Sequence, residues 1–376
     1  MKMTMISALL VVLCSACSSQ NIQNKSELEH WLVNLEDQPG LQYVVFDDAG
    51  LLYSNQAGLS DIGSRRPMEK ASRMAAYSMS KTYTAVLILK LNEAGLVDLE
   101  APVKRYLPWV PYPESLRVRH LLSQTSGIPD PVPLQWVYLP GQRTNTHQEL
   151  LKILAENPEL DFEPGEKYAY SNISYWLLEE LTQEVTGQPF AQLMFEQVFS
   201  QAGLEKEQIG YRFAGDPVAK GYLSDHWFFK AIAPFLLESP LIGDTEQGWL
   251  RINPHLLYSK GMGGIFASAE SLALVMVETI KPGSSVLGPK SQAKLFEVQK
   301  DNQGRQVAMT LGWHVQFKEN QQVEFYFKEG GGASFHTEIR YYPETKTGTM
   351  VMANSFGFDV KKFLNQTDPL FIQVKP

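Results

Sequence analysis

Ser78 and Lys81 stand three residues apart in Ser78-Met79-Ser80-Lys81. On a helix, side chains at i and i+3 share a face, so a hydroxyl and an amine there can exchange a proton. Serine is a weak nucleophile until a neighbouring base takes its proton. Lysine can be that base if burial keeps it neutral. The start of a helix also carries partial positive charge that favours a developing alkoxide. Two later elements complete the chemistry. Tyr170-Ser171-Asn172 offers a phenol, which between two lysines could have a lowered pKa and shuttle protons. Its Asn172 can orient Lys81 or a substrate amide, or cap the helix that follows. Lys328-Glu329-Gly330 adds a second cation at a strand end. In this order S-x-x-K, Y-x-N and K-x-G describe a serine acyl-transfer site. The backbone N–H groups of Ser78 and Gly331 are the candidate oxyanion hole, because glycines at 330–332 let backbone approach a substrate oxygen. Glu329 and Gly330 form the candidate substrate rim, with the alternative that strand alternation turns Glu329 away.

Each element has a second copy, and context separates them. Ser291-Gln292-Ala293-Lys294 lies after the better Y-x-N, and Tyr53-Ser54-Asn55 lies before the better serine. Lys346-Thr347-Gly348 follows the polar stretch Pro343-Glu344-Thr345 and reads as a hairpin tip. Lys328 instead ends the alternating run Val323, Phe325, Phe327.

The segments around the motifs carry a family resemblance. His120-Leu121-Leu122-Ser123-Gln124-Thr125-Ser126-Gly127, the run from Glu163-Pro164-Gly165 to Tyr170-Ser171-Asn172, Gly263-Gly264-Ile265-Phe266-Ala267-Ser268 and the glycine strand from Gly330 to Phe335 resemble the beta-lactamase-related serine hydrolases. The resemblance covers roughly residues 40–355. It implies that family's fold and acyl-enzyme chemistry, on class C beta-lactam, D-amino-acid peptide or ester substrates. Two positions depart from it. Glu329 stands where relatives carry a threonine that helps hold a substrate carboxylate, and it would repel a carboxylate if it faced the pocket. Gln124 stands where many carry histidine. No E-x-x-L-N glutamate for deacylation occurs, so water activation falls to Tyr170 and Lys81.

Composition narrows the rest. A chain of 376 residues can bury a large core. Its 41 acidic against 33 basic residues leave a net charge of −8, which argues against nucleic acid and gives no basic patch for anionic lipid. No H-E-x-x-H, Cys/His cluster or P-loop is present, so neither metal nor cofactor is expected. The absence of G-x-S-x-G weakens an alpha/beta-hydrolase reading. His336 follows the glycine strand and is assigned a structural role. Lys2 and the apolar run Ile6 to Leu13 read as a signal peptide over 1–16. Cys14-Ser15-Ala16-Cys17 resembles a lipobox. Cys17 would then be acylated and the protein held at the outer membrane through that anchor alone, the alternative being a soluble periplasmic product. Both cysteines lie there, leaving the mature domain without a disulfide.

The elements that must position the motifs follow from periodicity. Residues 17–25 read as a polar tether, followed by a single domain over 26–376. Ser26-Glu27-Leu28-Glu29 reads as a capping box. Strands are expected over 41–46 and 51–53 and again after about 305, with helices from Ser78 to about Glu93 and from Asn172 to Val185. Strands at both ends around a helical insertion at about 96–250 imply an α/β (α+β) fold. Its antiparallel sheet joins the two chain ends, with the site in the cleft between sheet and helices. Trp227-Phe228-Phe229 and Phe235-Leu236-Leu237 form an apolar patch, read as core, with a greasy pocket rim or an interaction surface as alternatives. The function expected is a serine hydrolase using Ser78, Lys81 and Tyr170 on a small-molecule or peptide ester or amide. The alternatives are a beta-lactamase or D-amino-acid peptidase, and a non-catalytic relative that binds cell-wall peptides or a partner.

Overall fold

The computed structural model describes residues 22–131, 136–142, 144–212 and 217–372. The expected signal peptide and Cys17 lie outside them. α1 (Lys25–Val33) starts within the expected tether. Asn24 caps it by accepting from the Glu27 N–H, a role the sequence pattern assigned to Ser26. Ile22 is buried beside Leu28 and Leu32, so the tether's described end is packed.

β1 (Leu41–Phe46) and β2 (Leu51–Ala57) come from one end of the chain. β3 (His314–Phe317), β4 (Val323–Gly331), β5 (His336–Tyr342) and β6 (Thr347–Ala353) come from the other. They form one antiparallel sheet in the order β3-β4-β5-β6-β1-β2, in which β1 pairs with β6 from Leu41↔Ala353 to Phe46↔Gly348. β1 is buried along its whole length, as a central strand covered on both faces must be. Its period of two divides the core. Tyr43 and Val45 join Val351, Phe363 and Leu364 on one face, while Val44 and Phe46 join the larger cluster on the other. α11 (Val360–Thr367) covers the first face.

Among the described residues, nine α-helices lie between the two sets of strands. They are α2 (Ser80–Glu93), α3 (Val118–Leu122), α4 (Thr146–Glu156), α5 (Asn172–Thr186), α6 (Phe190–Met194), α7 (Trp227–Leu236), α8 (Lys260–Gly263), α9 (Ala269–Ile280) and α10 (Pro289–Leu295). α2 is buried from Ser80 to Leu89. Its apolar residues run all round it, which marks a helix inside the core rather than upon it. Gly95 beyond its end (φ 72°) and Gly187 beyond α5 (φ 66°) take the left-handed conformation that stops a helix.

Candidate active site

Ser78 lies in a single 3-10 turn, Tyr77–Met79, that runs directly into α2. This turn carries no side-chain cap, so Ser78 does not cap the helix as the simplest reading of a helix-start serine supposes. Its hydroxyl is left for other partners. Tyr77, just before it, has φ 44°, a conformation costly for a bulky residue. The surroundings enforce it. The Tyr77 hydroxyl lies 2.7 Å from Ser334 Oγ and 3.1 Å from His255 Nε2. A Cβ on Gly332 would come within 2.5 Å of the Tyr77 ring, so only glycine fits against it.

Two sequence-predicted side chains, Lys81 and Tyr170, meet at Ser78, and a third, Lys328, sits against Tyr170. Lys81 Nζ lies 3.1 Å from Ser78 Oγ, 2.8 Å from Asn172 Oδ1 and 2.5 Å from the Met262 carbonyl oxygen. The Tyr170 hydroxyl donates to Ser78 Oγ at 2.7 Å. Lys328 Nζ sits 4.7 Å from the centre of the Tyr170 ring, and Lys81 Nζ sits 5.1 Å from it. Both amines thus lie against one phenol ring, and an ammonium there is favoured by its electron-rich face.

Burial sets the protonation states. It holds Lys81 well below its ordinary value; the Lys328 charge adds to this, and Asp130 opposes it. Burial brings Lys328 down to about 7, against a smaller upward pull from Glu329. Burial also raises the Tyr170 phenol, and the hydrogen bond to Ser78 only partly offsets it. This corrects the expectation of a lowered phenol pKa: loss of the phenolate's hydration dominates, and Asp130, Tyr168 and Glu329 add to it. Tyr170 therefore rests as a neutral donor.

Ser171 caps α5 through the Ser174 N–H, so Asn172 is spared that task and turns its amide to Lys81. Asp130 holds Asn172 from the other side. Its two oxygens accept from the Asn172 backbone N–H at 2.7 Å and from Nδ2 at 3.1 Å. This fixes which amide atom faces Lys81. Sequence reasoning missed Asp130, although its place between Pro129 and Pro131 marks a stiff turn. It also missed the part played by Gln124. Buried, with φ 57°, Gln124 accepts the Ser171 N–H through Oε1 at 2.7 Å and the Ala169 N–H through its own carbonyl at 3.0 Å. It clamps the strip that carries Tyr170. His314 closes the far wall, its Nε2 3.1 Å from the Tyr168 hydroxyl and its ring stacked on Phe327. Burial, then the charges of Lys328 and Lys81, push its pKa down to about 2, so it is neutral.

Gly330 is not on an open rim. It is buried beneath the Ser78 turn, where an added Cβ would collide with the Ala76 carbonyl oxygen and Met79 N. That close approach brings the exposed Gly331 beside the turn. Glu329 points to the face opposite Lys328, and its carboxylate lies 2.7 Å from His336 Nε2. The duplicate motifs stand apart from all this. Lys346 pairs with Asp48 at 3.6 Å. Lys294 bonds to Asn92 rather than to Ser291. Tyr53 and Asn55 bond to each other.

The chain matches the Beta-lactamase family over residues 28–368. It is 26% identical over 304 residues to penicillin-binding protein 4* of Bacillus subtilis, covering 79% of this chain and 64% of that protein. It is 30% identical over 245 residues to a D-aminopeptidase of Brucella anthropi, covering 62% of this chain and 41% of that protein. The chain thus spans less than two thirds of either relative. Among solved structures, FmtA from Staphylococcus aureus superposes with a TM-score of 0.72 at 15% identity, covering 96% of this chain and 91% of that one, a likeness of fold.

Proposed function

The chain belongs to the beta-lactamase family of serine hydrolases, and we propose that Ser78 transfers the acyl group of an ester or amide to water through a covalent acyl-enzyme. One observation carries the reading. Lys81 Nζ has three partners, and two of them, the Asn172 and Met262 carbonyl oxygens, can only accept. A neutral amine has two protons for those carbonyls and one lone pair. Kept neutral by burial, the amine has that lone pair left for the Ser78 hydroxyl proton, whereas a protonated Lys81 would donate to Ser78 Oγ instead.

Ser78 Oγ attacks the carbonyl carbon while its proton passes to Lys81. The oxygen of the tetrahedral intermediate takes negative charge, which the backbone N–H groups of Ser78 and Gly331 would receive. Tyr170, a neutral phenol in contact with Ser78 Oγ, gives its proton to the leaving group as the bond to the acyl carbon breaks. Lys81 returns a proton to Tyr170, and Lys328 steadies the transient phenolate. Water then attacks the acyl carbon, with its proton taken by the same Tyr170–Lys81 pair, and Ser78 is regenerated. Asp130 and Gln124 act through Asn172 and Ser171 as positioning residues.

Esters, D-amino-acid amides and nitrocefin, assayed on wild type and on Ser78→Ala, test the reading. Turnover of an ester or amide that Ser78→Ala loses is expected. Substrate binding without turnover in wild type would favour a non-catalytic binder.

The lipobox-like Cys14-Ser15-Ala16-Cys17 supports a further proposal, an envelope lipoprotein acylated at Cys17. Several acyl chains would hold it firmly, where one binds only marginally. Mass spectrometry of the mature N-terminus should find modified Cys17, and an unmodified Cys17 would refute it.

A further inference from the structure

Glu329 and His336 meet on the sheet face opposite Lys328, at the strand ends beside Gly331. Glu329 Oε1 lies 2.7 Å from His336 Nε2, and His336 Nδ1 lies 2.6 Å from the Phe358 carbonyl oxygen. A carbonyl only accepts, so Nδ1 carries a proton; an ionised carboxylate only accepts, so Nε2 carries one as well. Glu329 is ionised, because the His336 hydrogen bond holds it below the ordinary carboxylate range against its own burial. The ring in this geometry is therefore an imidazolium. Burial is the largest single influence and opposes that charge, but the Glu329 hydrogen bond and charge, the Phe358 carbonyl and Glu338 together outweigh it.

The pair is closed towards the protein and open to solvent on its outer side. The Glu329 side chain is 51% exposed and that of His336 18%. A Cβ on Gly331 would stand 3.7 Å from His336 Cδ2, so the ring flanks the residue that carries the candidate oxyanion N–H. The other charges facing the pair are Glu338 on β5, Lys361 on α11 and Lys328 on β4. Glu338 is already bonded to Arg340 at 2.6 Å. The field of Glu329 reaches the active site, where it favours the protonated forms of Tyr170 and Lys328.

We propose that Glu329 and His336 are a proton-gated specificity pair, in which the imidazolium caps a carboxylate that otherwise receives a cationic group of the substrate. This rests on the acyl-transfer reading of Ser78, since the substrate meant is the acyl donor lying along Gly331. With the ring protonated, the pair has no net charge. Loss of the Nε2 proton sets a lone pair against the carboxylate, while Nδ1–H stays on Phe358. The half-exposed Glu329 is then free to leave the ring and meet an ammonium. An anionic substrate gains nothing in either state.

The test uses two aryl esters of matched size, one ending in a quaternary ammonium and the other in a tert-butyl group. The ammonium charge cannot titrate. On the full chain, the ratio of kcat/KM for the cationic over the neutral ester should rise about three- to tenfold as His336 loses its proton, the effect of one partly screened charge. His336→Gln keeps a donor for Glu329 but does not titrate, so its ratio should show only the shallower change that Lys328 causes. Glu329→Gln should lower the ratio at alkaline pH. An NMR titration of His336 in wild type should share its midpoint with the ratio, which keeps the proposal refutable if a variant misfolds. A ratio that runs parallel in wild type and His336→Gln, one that Glu329→Gln leaves unchanged, or midpoints that do not coincide would each overturn the pair. Those results would leave the Ser78 reading standing, provided the neutral ester is hydrolysed. Failure of wild type to hydrolyse either ester would sink both.

Discussion

Lys328-Glu329-Gly330 and Lys346-Thr347-Gly348 are nearly the same words in opposite settings. Lys328 is 1% exposed, lies inside a strand and faces the Tyr170 ring at 4.7 Å. The Lys346 side chain is 66% exposed in a turn with φ 54°, within reach of Asp48. Gly330 admits the Ser78 turn, whereas Gly348 admits only the ring of Phe46. Burial separates the two lysines more sharply than the middle residue of the motif does. A buried amine sheds its proton near neutral pH; an exposed one is a solvated charge. The literal K-T-G is the structural copy, and the departed K-E-G is at the site.

The contrast can be broken first at the serines. Ser78→Ala should lower kcat by at least about a thousandfold, because a nucleophile and its base act as one unit. Ser291→Ala, in a buried helix serine that Lys294 does not touch, should keep turnover within about twofold. Steady-state kinetics on a shared ester decides, and the reverse pattern would reject the site. Because no cap depends on Ser78, its alanine variant should melt close to wild type rather than lose the roughly 1 kcal/mol of a missing cap.

The lysines give the next largest effect. Lys328→Ala should cost about a hundredfold in kcat/KM, in the usual range for losing a proton-transfer partner, and Lys346→Ala less than about twofold. Lys328→Met should raise the melting temperature at pH 7 while lowering activity. The folded pKa of about 7 lies below the ordinary lysine value. The folded state thus binds fewer protons, and the burial penalty is fully present below pH 7 and fades as pH rises towards the unfolded value. A Lys328→Met protein that melts lower would mean the ammonium is better solvated than its burial implies.

The two site lysines also predict a bell-shaped pH profile. Lys81 must be neutral, so activity falls as pH drops through its depressed pKa. Lys328 must be charged, so kcat/KM should decline above about pH 7, approaching tenfold per pH unit well past the midpoint. Lys328→Arg keeps its charge at any accessible pH, and its alkaline limb should move upward. An unmoved limb would assign that pKa to another group.

A smaller effect is expected at Gln124. Gln124→Ala frees the Ser171 N–H of its buried partner, costing about 1–3 kcal/mol of stability. It should lower kcat severalfold with little change in KM, because the Tyr170 strip loosens without losing a reacting group. An unchanged kcat in a folded variant would remove its positioning role.

These residues also show what sequence can and cannot supply. The sheet made from both chain ends, α2 behind Ser78 and α5 from Asn172 were legible because period and punctuation are local. The main catalytic candidates were legible because fixed spacing on predictable elements carries them. The Asp130 clamp, the Gln124 hydrogen bond and the Met262 carbonyl on Lys81 were not, since each joins segments far apart in the chain. Strand alternation left the direction of Glu329 open, and only its pairing with His336 closes that question. The protonation of Tyr170 was misread for a similar reason. Two lysines were visible in the order of motifs, but the depth of burial that raises the phenol was not.

The central claim is that Ser78 becomes covalently acylated. Peptide mapping by mass spectrometry after exposure to a fluorophosphonate probe tests it most directly. The account predicts one adduct per chain, on Ser78, reduced strongly by Lys81→Met and unaffected by Ser291→Ala. An adduct on Ser291, or none in folded wild type across the pH range in which Lys81 is neutral, would contradict it.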